Sequence, residues 1–355
     1  YRKVKGAVIR SPSIINAAGV QRPVPEVAMS TIRDVAKHAN VSVATVSKYL
    51  NGGHVREQKE QAIQAAMQEL EYQINPYAKS LRTRRSMAVG ILLPSALTPF
   101  FSNMLQSLDA SLRRAGYQTL VSFYRPDHGI EREKLQFLSR AGIDALAYTP
   151  ENITAGEFQD IFSAGSMPVV LIDRMIAGIQ TADAVLVDSA AAVQAAVGRL
   201  IDRQHRRIAI INGPPSVFTA KERMAGYLHA LSEHTIAYDP DYVQSGEYAM
   251  RTGYQGFLKL MSLPQPPTAI ITMNYDLTLG ALTAAQERSV RIPEEIALFG
   301  FDCSDICNVI ASPIPIIQQP EQELGSQTAQ FLLERMNGYT GPARLAKLHA
   351  AIINE

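Results

Sequence analysis

The stretch "TIRDVAKHANVSVATVSKYLNGG", residues 31–53, sets two short apolar-periodic runs around one tight polar break. Thr31 followed three residues later by Asp34 is a capping-box pattern, and Ile32, Val35, Ala36 and Ala39 recur on one face of a short helix. Asn40-Val41-Ser42 ends that helix, and Ser42 is placed to cap a second one in which Val46 and Leu50 turn inward. Val43, Ala44, Thr45, Ser47 and Lys48 are left on the outer face, and Asn51-Gly52-Gly53 supplies the stop. Two helices joined by a three-residue turn make a helix-turn-helix. A third helix follows, with Ile63, Ala66, Met67 and Leu70 at the spacing i, i+3, i+4, i+7. So small a unit has no room for a catalytic cleft, but it suits laying one helix in a major groove.

Next comes "NPYAKSLR", residues 75–82, which starts as a helix should, with Asn75 at the N-cap and Pro76 at the first helical position. Lys79, Arg82, Arg84 and Arg85 would repel one another in isolation, so this helix is expected to order where phosphates supply countercharge. Charge is unevenly spread along the chain. Residues 1–86 hold 14 Lys and Arg against 6 Asp and Glu, a net +8, whereas residues 87–355 hold 20 against 27, a net −7. A basic head on an acidic body points to nucleic acid or another polyanion as partner, although a merely solvated surface would carry the same charge. Residues 1–28 show no sustained period and are broken by proline and glycine, so they read as a tail outside the fold, with Met29 as the natural start. They lack the long apolar run or the amphipathic helix of a targeting peptide.

With 355 residues, 46% hydrophobic and 19% charged, the chain has an ordinary globular composition and the length of two or three domains. It contains no apolar run of about 18 residues, the length that a membrane-spanning helix requires. Cys303 and Cys307 do not make a disulfide framework; four apart they could supply half a metal site, but no second Cys or His pair completes it, and they read as small core residues. Neither a metal nor a cofactor is expected. From residue 87 onward, short β-branched runs (Val89–Leu93, Thr119–Phe123, Ala145–Tyr148, Val169–Ile172, Ile208–Ile211, Ala269–Thr272 and Ile296–Phe299) alternate with helical stretches, several of which stop at glycine. That is the pattern of a doubly wound parallel α/β sheet. Neither GxGxxG after the first strand nor GxxxxGK[ST] is present, so dinucleotide and nucleoside triphosphate binding have no support. Ligands of such sheets sit beyond the carboxyl ends of the strands, where the polar residues are Asp173, Arg174, Asn274 and Asp302.

Taken in order, the residues resemble the lactose/galactose repressor (LacI-type) family of bacterial transcription regulators. The matching motifs are "TIRDVAKHANVSVATVSKYLNG", "ELEYQINPYAKSLRTRRS", "VGILLP", "PFF", "VVLIDR", "RRIAIINGP", "ERMAGY", "YDPDYV", "IPEEIALFGFD" and "IIQQP", spread over residues 30 to about 325. The resemblance implies a helix-turn-helix DNA-binding domain over 29–74, a hinge helix and linker over 75–86, and an effector-binding and dimerisation body over 87–355. In that body two periplasmic-binding-protein-like lobes are expected, one from about 87–186 with 317–345 and the other from about 187–316 with 346–355.

By the same resemblance, Val43, Ala44 and Lys48 read bases, and Thr45, Ser47 and Asn51 contact phosphates. Ala44 offers only a methyl, suited to the thymine C5-methyl, and Lys48 offers a point charge to guanine O6 and N7. Leu81 matches the hinge leucine that wedges into the minor groove and kinks the operator, with Asn75, Ala78, Lys79 and Arg82 around it. For a small-molecule effector, Phe100 and Phe101 form an apolar wall, Asp173 and Arg174 are polar contacts, Arg223 anchors a hydroxyl or carboxylate, and Asn274 and Asp302 bind hydroxyls. Such a set suits a polyol, a sugar or sugar acid. Each residue has a plainer reading: the aspartates could cap their loops, Arg223 could be a surface arginine, and the phenylalanines could be core. The implied protein is a cytoplasmic, nucleoid-associated repressor of carbohydrate genes, a homodimer or tetramer on a pseudo-palindromic double-stranded operator, and not an enzyme.

Four places depart from the family pattern. Asn274-Tyr275-Asp276 stands where relatives commonly have Asn-Asp, Asp188-Ser189 lacks the usual amide partner, Gln204-His205 replaces Gly-His, and the C-terminal "LAKLHAAIINE" is short. Two other classes share the body. A periplasmic sugar-binding protein would have no use for residues 30–86, and an enzyme would need an acid–base or nucleophile set. G-x-S-x-G is absent and none of the 7 histidines lies in a recognisable catalytic motif.

Overall fold

The computed structural model describes residues 30–50, 52–72, 85–95, 97–124, 129–162, 167–307 and 313–354, with the backbone of two short strands nearer the N-terminus. The chain divides into two compact units, Tyr1–Lys79 and Ser80–Glu355.

In the first unit the short strands β1 (Ser13–Ile15) and β2 (Gln21–Pro23) pair antiparallel, within the segment read as a tail, and join neither of the larger sheets. A two-stranded pair of this kind is marginal by itself. The helices are α1 (Ile32–His38), α2 (Val43–Leu50) and α3 (Glu57–Glu69). The Thr31–Asp34 capping box forms in both directions: the Thr31 hydroxyl accepts from the Asp34 amide at 3.4 Å, and the Asp34 carboxylate accepts from the Thr31 amide at 2.9 Å. Ser42 Oγ accepts from the Thr45 amide at 3.1 Å and so starts α2. Asn40 makes the turn between the helices in the left-handed region, φ 48°. Val35, Ala36, Ala39, Val46, Ile63 and Ala66 form the core of this unit. Leu50 is only half-buried, and Leu70 packs from the cap after α3 rather than from within it, because the helix ends at Glu69.

The second unit runs β3 (Ala88–Leu93), α4 (Pro99–Arg114), β4 (Gln118–Phe123), α5 (Ile130–Arg140), β5 (Ala145–Tyr148), α6 (Ala155–Ile161), β6 (Val169–Ile172), β7 (Asp183–Val187), α7 (Ser189–Asp202), β8 (Ile208–Asn212) and α8 (Phe218–Glu233). It continues with β9 (Val243–Ser245), α9 (Met250–Met261), β10 (Ala269–Thr272), α10 (Tyr275–Glu287), β11 (Ala297–Phe301), α11 (Ser304–Cys307), β12 (Ile316–Gln318), α12 (Glu321–Met336), β13 (Leu345–Leu348) and β14 (Ala351–Ile353). Two six-stranded sheets result, with orders β4-β3-β5-β6-β7-β13 and β9-β8-β10-β11-β12-β14. The lobes therefore repeat one topology and differ at the final strand, which is parallel in the first (β13 on β7) and antiparallel in the second (β14 on β12). β5, β6, β8 and β10 are buried throughout, as parallel strands covered by helices on both faces must be.

The seven runs expected as strands fall on β3, β4, β5, β6, β8, β10 and β11. The other strands of the two sheets are the short β9, β12, β13 and β14, and β7, whose apolar run opens on a charge. Asp183 opens β7 and is fully buried, but Arg335 and Arg344 reach it from far along the chain, with contacts of 2.7 and 2.8 Å. The crossings between lobes also fall later than expected. Residue 317 still pairs within the second lobe, and residues 345–348 remain on β7 of the first, so the last exchange follows Leu348. Arg344 explains the delay: its amide donates to Asp183 at 2.8 Å and holds the incoming strand in register.

In the second lobe α9 and α10 cross with almost no separation. A Cβ at Gly253 would meet the carbonyl oxygen of Leu277 at 2.1 Å, and one at Gly280 would meet that of Met250 at 2.0 Å. α10 begins at Tyr275, and its first residues face the space between the lobes.

Candidate functional site

On α2 of the head, Val46 is fully buried while Val43, Ala44 and Lys48 are exposed and Thr45 and Ser47 are half-exposed. Tyr49 is held from the other side, its hydroxyl accepting from Gln64 of α3 at 2.8 Å. The helix is thus anchored by Val46 and backed by α3, with Val43, Ala44 and Lys48 turned outward. Asn51 and the hinge residues Asn75, Ala78, Lys79, Leu81 and Arg82 lie outside the described residues. Arg85, grouped with the hinge by its charge, donates instead to the Met336 carbonyl at the end of α12, at 2.8 Å.

In the body, a cavity of about 470 Å³ lies between the lobes at the carboxyl ends of the strands, and Phe100, Phe101, Asp173, Arg174, Arg223, Asn274 and Asp302 all line it. Phe100 and Phe101 sit in the first turn of α4, edge to face with centroids 5.0 Å apart. They are also part of the first lobe's core, so one pair of rings closes the cavity and packs the fold.

Asp173 and Asp302 occupy equivalent places, each just after the fourth strand of its chain-order βα repeat, β6 and β11. Both adopt the left-handed backbone region, φ 63° and 54°, which is costly for a non-glycine residue and is held only by surrounding structure. Their carboxylates are treated differently. Asp302 accepts from the Gln319 amide at 3.0 Å and from its side chain at 2.5 Å, so it fastens the segment after β12 rather than the loop after its own strand. Asp173 lies 3.6 Å from Arg174 Nε and leaves Oδ1 with no hydrogen bond. Burial raises both carboxyl groups, opposed at Asp173 by the charges of Arg174 and then Arg223 and at Asp302 by the Gln319 hydrogen bonds and then Arg223; Asp302 is pushed up to about 7.

Arg223 is buried, which rules out a surface role. It extends from α8, donates to the Met273 carbonyl, and stacks 4.1 Å above the Phe301 ring. Its Nε has no partner. Asn274 caps α10 by accepting from the Leu277 amide at 2.9 Å.

Several lining groups were not anticipated. Glu151 pairs with Arg174 at 2.8 Å, and both are nearly buried. The loop carrying Glu151 is fixed by buried Glu131, which accepts from the amides of Glu151 and Asn152 at 2.8 Å and from the Tyr148 hydroxyl. Gln319, Tyr248 and Asp276 also line the cavity. Glu151 follows β5 as Asp173 follows β6, so the strand-end rule would have found it; Tyr248 and Gln319 follow strands too short to be read. Cys303 is buried behind the site, and among the described residues no cluster could hold a metal ion.

Residues 31–75 match the family described as bacterial regulatory proteins, lacI family, and residues 86–350 match periplasmic binding proteins and sugar binding domain of LacI family. The ribose operon repressor of Haemophilus influenzae is 30% identical over 312 residues, covering 87% of this chain and 92% of that protein. The transcriptional repressor PurR of Pectobacterium atrosepticum is 30% identical over 332 residues, covering 92% and 96%. The crystal structure of the lac repressor dimer bound to operator and the anti-inducer ONPF superposes with a TM-score of 0.82 at 23% identity, covering 92% and 98%, and shares the fold. The chain belongs to the LacI family of bacterial regulatory proteins.

Proposed function

We propose that this regulator binds a pseudo-palindromic operator as a dimer and is switched by a polyhydroxylated effector, a sugar or sugar acid, held between the lobes of the body. The chain is a DNA-binding transcriptional repressor by family and not an enzyme. On this reading residues 29–74 read DNA, 75–86 form the hinge, and 87–355 bind effector and dimerise. Val43, Ala44 and Lys48 face bases, Thr45, Ser47 and Asn51 hold phosphates, and Leu81 wedges the minor groove with Asn75, Ala78, Lys79 and Arg82 beside it. Phe100, Phe101, Asp173, Arg174, Arg223, Asn274 and Asp302 serve the effector. Two recognition helices of a dimer would stand about one helical turn of DNA, roughly 34 Å, apart. The place of work is the cytoplasm, on the nucleoid.

The observation that carries this reading is the pairing of an outward-facing α2 on a packed helix-turn-helix with an interlobe cavity whose buried polar groups are left unsatisfied. An effector that fits one lobe arrangement better shifts the hinge, and it changes operator affinity only by its differential affinity for the two states. Selection of genomic duplex fragments by purified residues 29–355, read by sequencing, tests it. Enrichment of a palindromic site with a flexible central step is expected, with affinity falling steeply in salt. Salt-sensitive binding without any enrichment would count against sequence-specific regulation.

A further inference from the structure

Resting on the interlobe cavity as the effector site, we infer that the effector is an uncharged polyol and that Asp276 determines this specificity by repelling anionic analogues.

Among the residues that line the cavity, buried atoms of two kinds lack a hydrogen bond: Asp173 Oδ1 and Gln319 Oε1 can accept, and Arg223 Nε can only donate, while Arg174 Nε is held 3.6 Å from Asp173. A hydroxyl does both, so neighbouring hydroxyls of one ligand satisfy the whole set. A carboxylate or phosphate group has acceptors alone, so in the place of one of those hydroxyls beside Asp173 and Gln319 it would leave their oxygens unmet.

Charge argues in the same direction. Arg174 is committed to Glu151 and Asp173, and Arg223 already offsets Asp173 and Asp302. Those three acids outnumber the two guanidiniums, and Asp276 and Glu247 add to the surplus on the cavity wall. Protonation of Asp302 reduces the excess without removing it.

Asp276 is second in α10, within Asn274-Tyr275-Asp276, and lines the cavity. It is half-buried, has no ion pair among the described residues, and is raised by burial. A ligand anion brought beside it would meet a like charge with little water between. The phenylalanine pair, at an interplanar angle of 68°, offers no parallel sandwich for a flat base and suits the C–H face of a sugar ring.

Titration calorimetry of the full chain near neutral pH with glucose, galactose, ribose and cellobiose, each beside its aldonic acid and its phosphate ester, tests the inference. At least one neutral sugar should bind, and more tightly than its anionic counterparts by about tenfold or more. Asp276→Asn should narrow that ratio by raising the affinity for the acid. An anion that binds as well as its neutral parent overturns the inference, as does failure of every sugar in the set. Arg223→Ala separates the two levels of the argument: a sugar that binds this variant unchanged places the effector outside the cavity, whereas an anion that binds the wild type and not the variant keeps the cavity and refutes only the uncharged class.

Discussion

On the head, the described side chains proposed to touch DNA all stand on the outer face of one eight-residue helix, while the candidate effector site draws Phe101, Glu151, Asp173, Arg223, Asp276 and Asp302 from six separate segments. The first surface depends on a small core beneath it and on caps at its ends. The second depends on buried charges that offset one another across the fold. Damage should therefore travel differently in the two regions: through packing in the head, through uncompensated polarity in the body.

The largest effect is expected from Val46→Asp, which puts a carboxylate at the centre of a core of few residues and should cost about 3–5 kcal/mol. Operator binding should vanish while the body melts as before; scanning calorimetry with gel-shift titration checks both, and retained operator affinity would break the dependence of the reading face on its core.

Arg223→Ala comes next. Removing the buried guanidinium deletes its hydrogen bond to the Met273 carbonyl and its stacking on Phe301, and should destabilise the body by about 2–3 kcal/mol. Operator binding should survive and the response to effector should be lost. A normal response, measured as operator release on titrating effector, would remove Arg223 from the site.

A smaller, pH-dependent effect sharpens the contrast between the lobes' equivalent aspartates. Burial raises Asp302 from 3.8 to about 7, so the folded chain takes up a proton that the unfolded chain has already lost. Its contribution to stability is complete below the unfolded value and is lost as pH rises through about 7. Melting of the body between about pH 5 and pH 8 should fall with this slope in the wild type and more gently in Asp302→Asn. Equal slopes would mean that Asp302 stays ionised through this range.

The smallest effect belongs to the head's caps. Thr31→Ala removes one half of the capping box and should lower head stability by about 1 kcal/mol, with operator preference unaltered. A shift in preferred bases would show that the cap also steers α2.

How far each region could be read follows from the distance over which its interactions act. Thr31 with Asp34, and Ser42 with Thr45, lie within one turn, so their pattern is written locally and survives into the structure. In the body, Asp173, Arg174, Asn274 and Asp302 were legible because strand ends are where such sheets bind ligands, and Phe100, Phe101 and Arg223 through their family motifs. Glu151 and Gln319 were not, since their partners Arg174 and Asp302 are brought to them only when the strands pair. The same holds for β7, where Asp183 opens the strand and is compensated by arginines 152 and 161 residues away.

By itself, then, the sequence determined the helix-turn-helix, its outward face, the run of buried parallel strands and the acids at their ends, because periodicity, capping and strand burial act over a few residues. The tertiary structure alone decided that Asp302 is tied to Gln319 while Asp173 keeps an open oxygen, that the last exchange between lobes waits until Leu348, and that Arg223 turns inward onto Phe301. Those outcomes depend on which charges share one desolvated volume, and that is set only when segments far apart in the chain close around it.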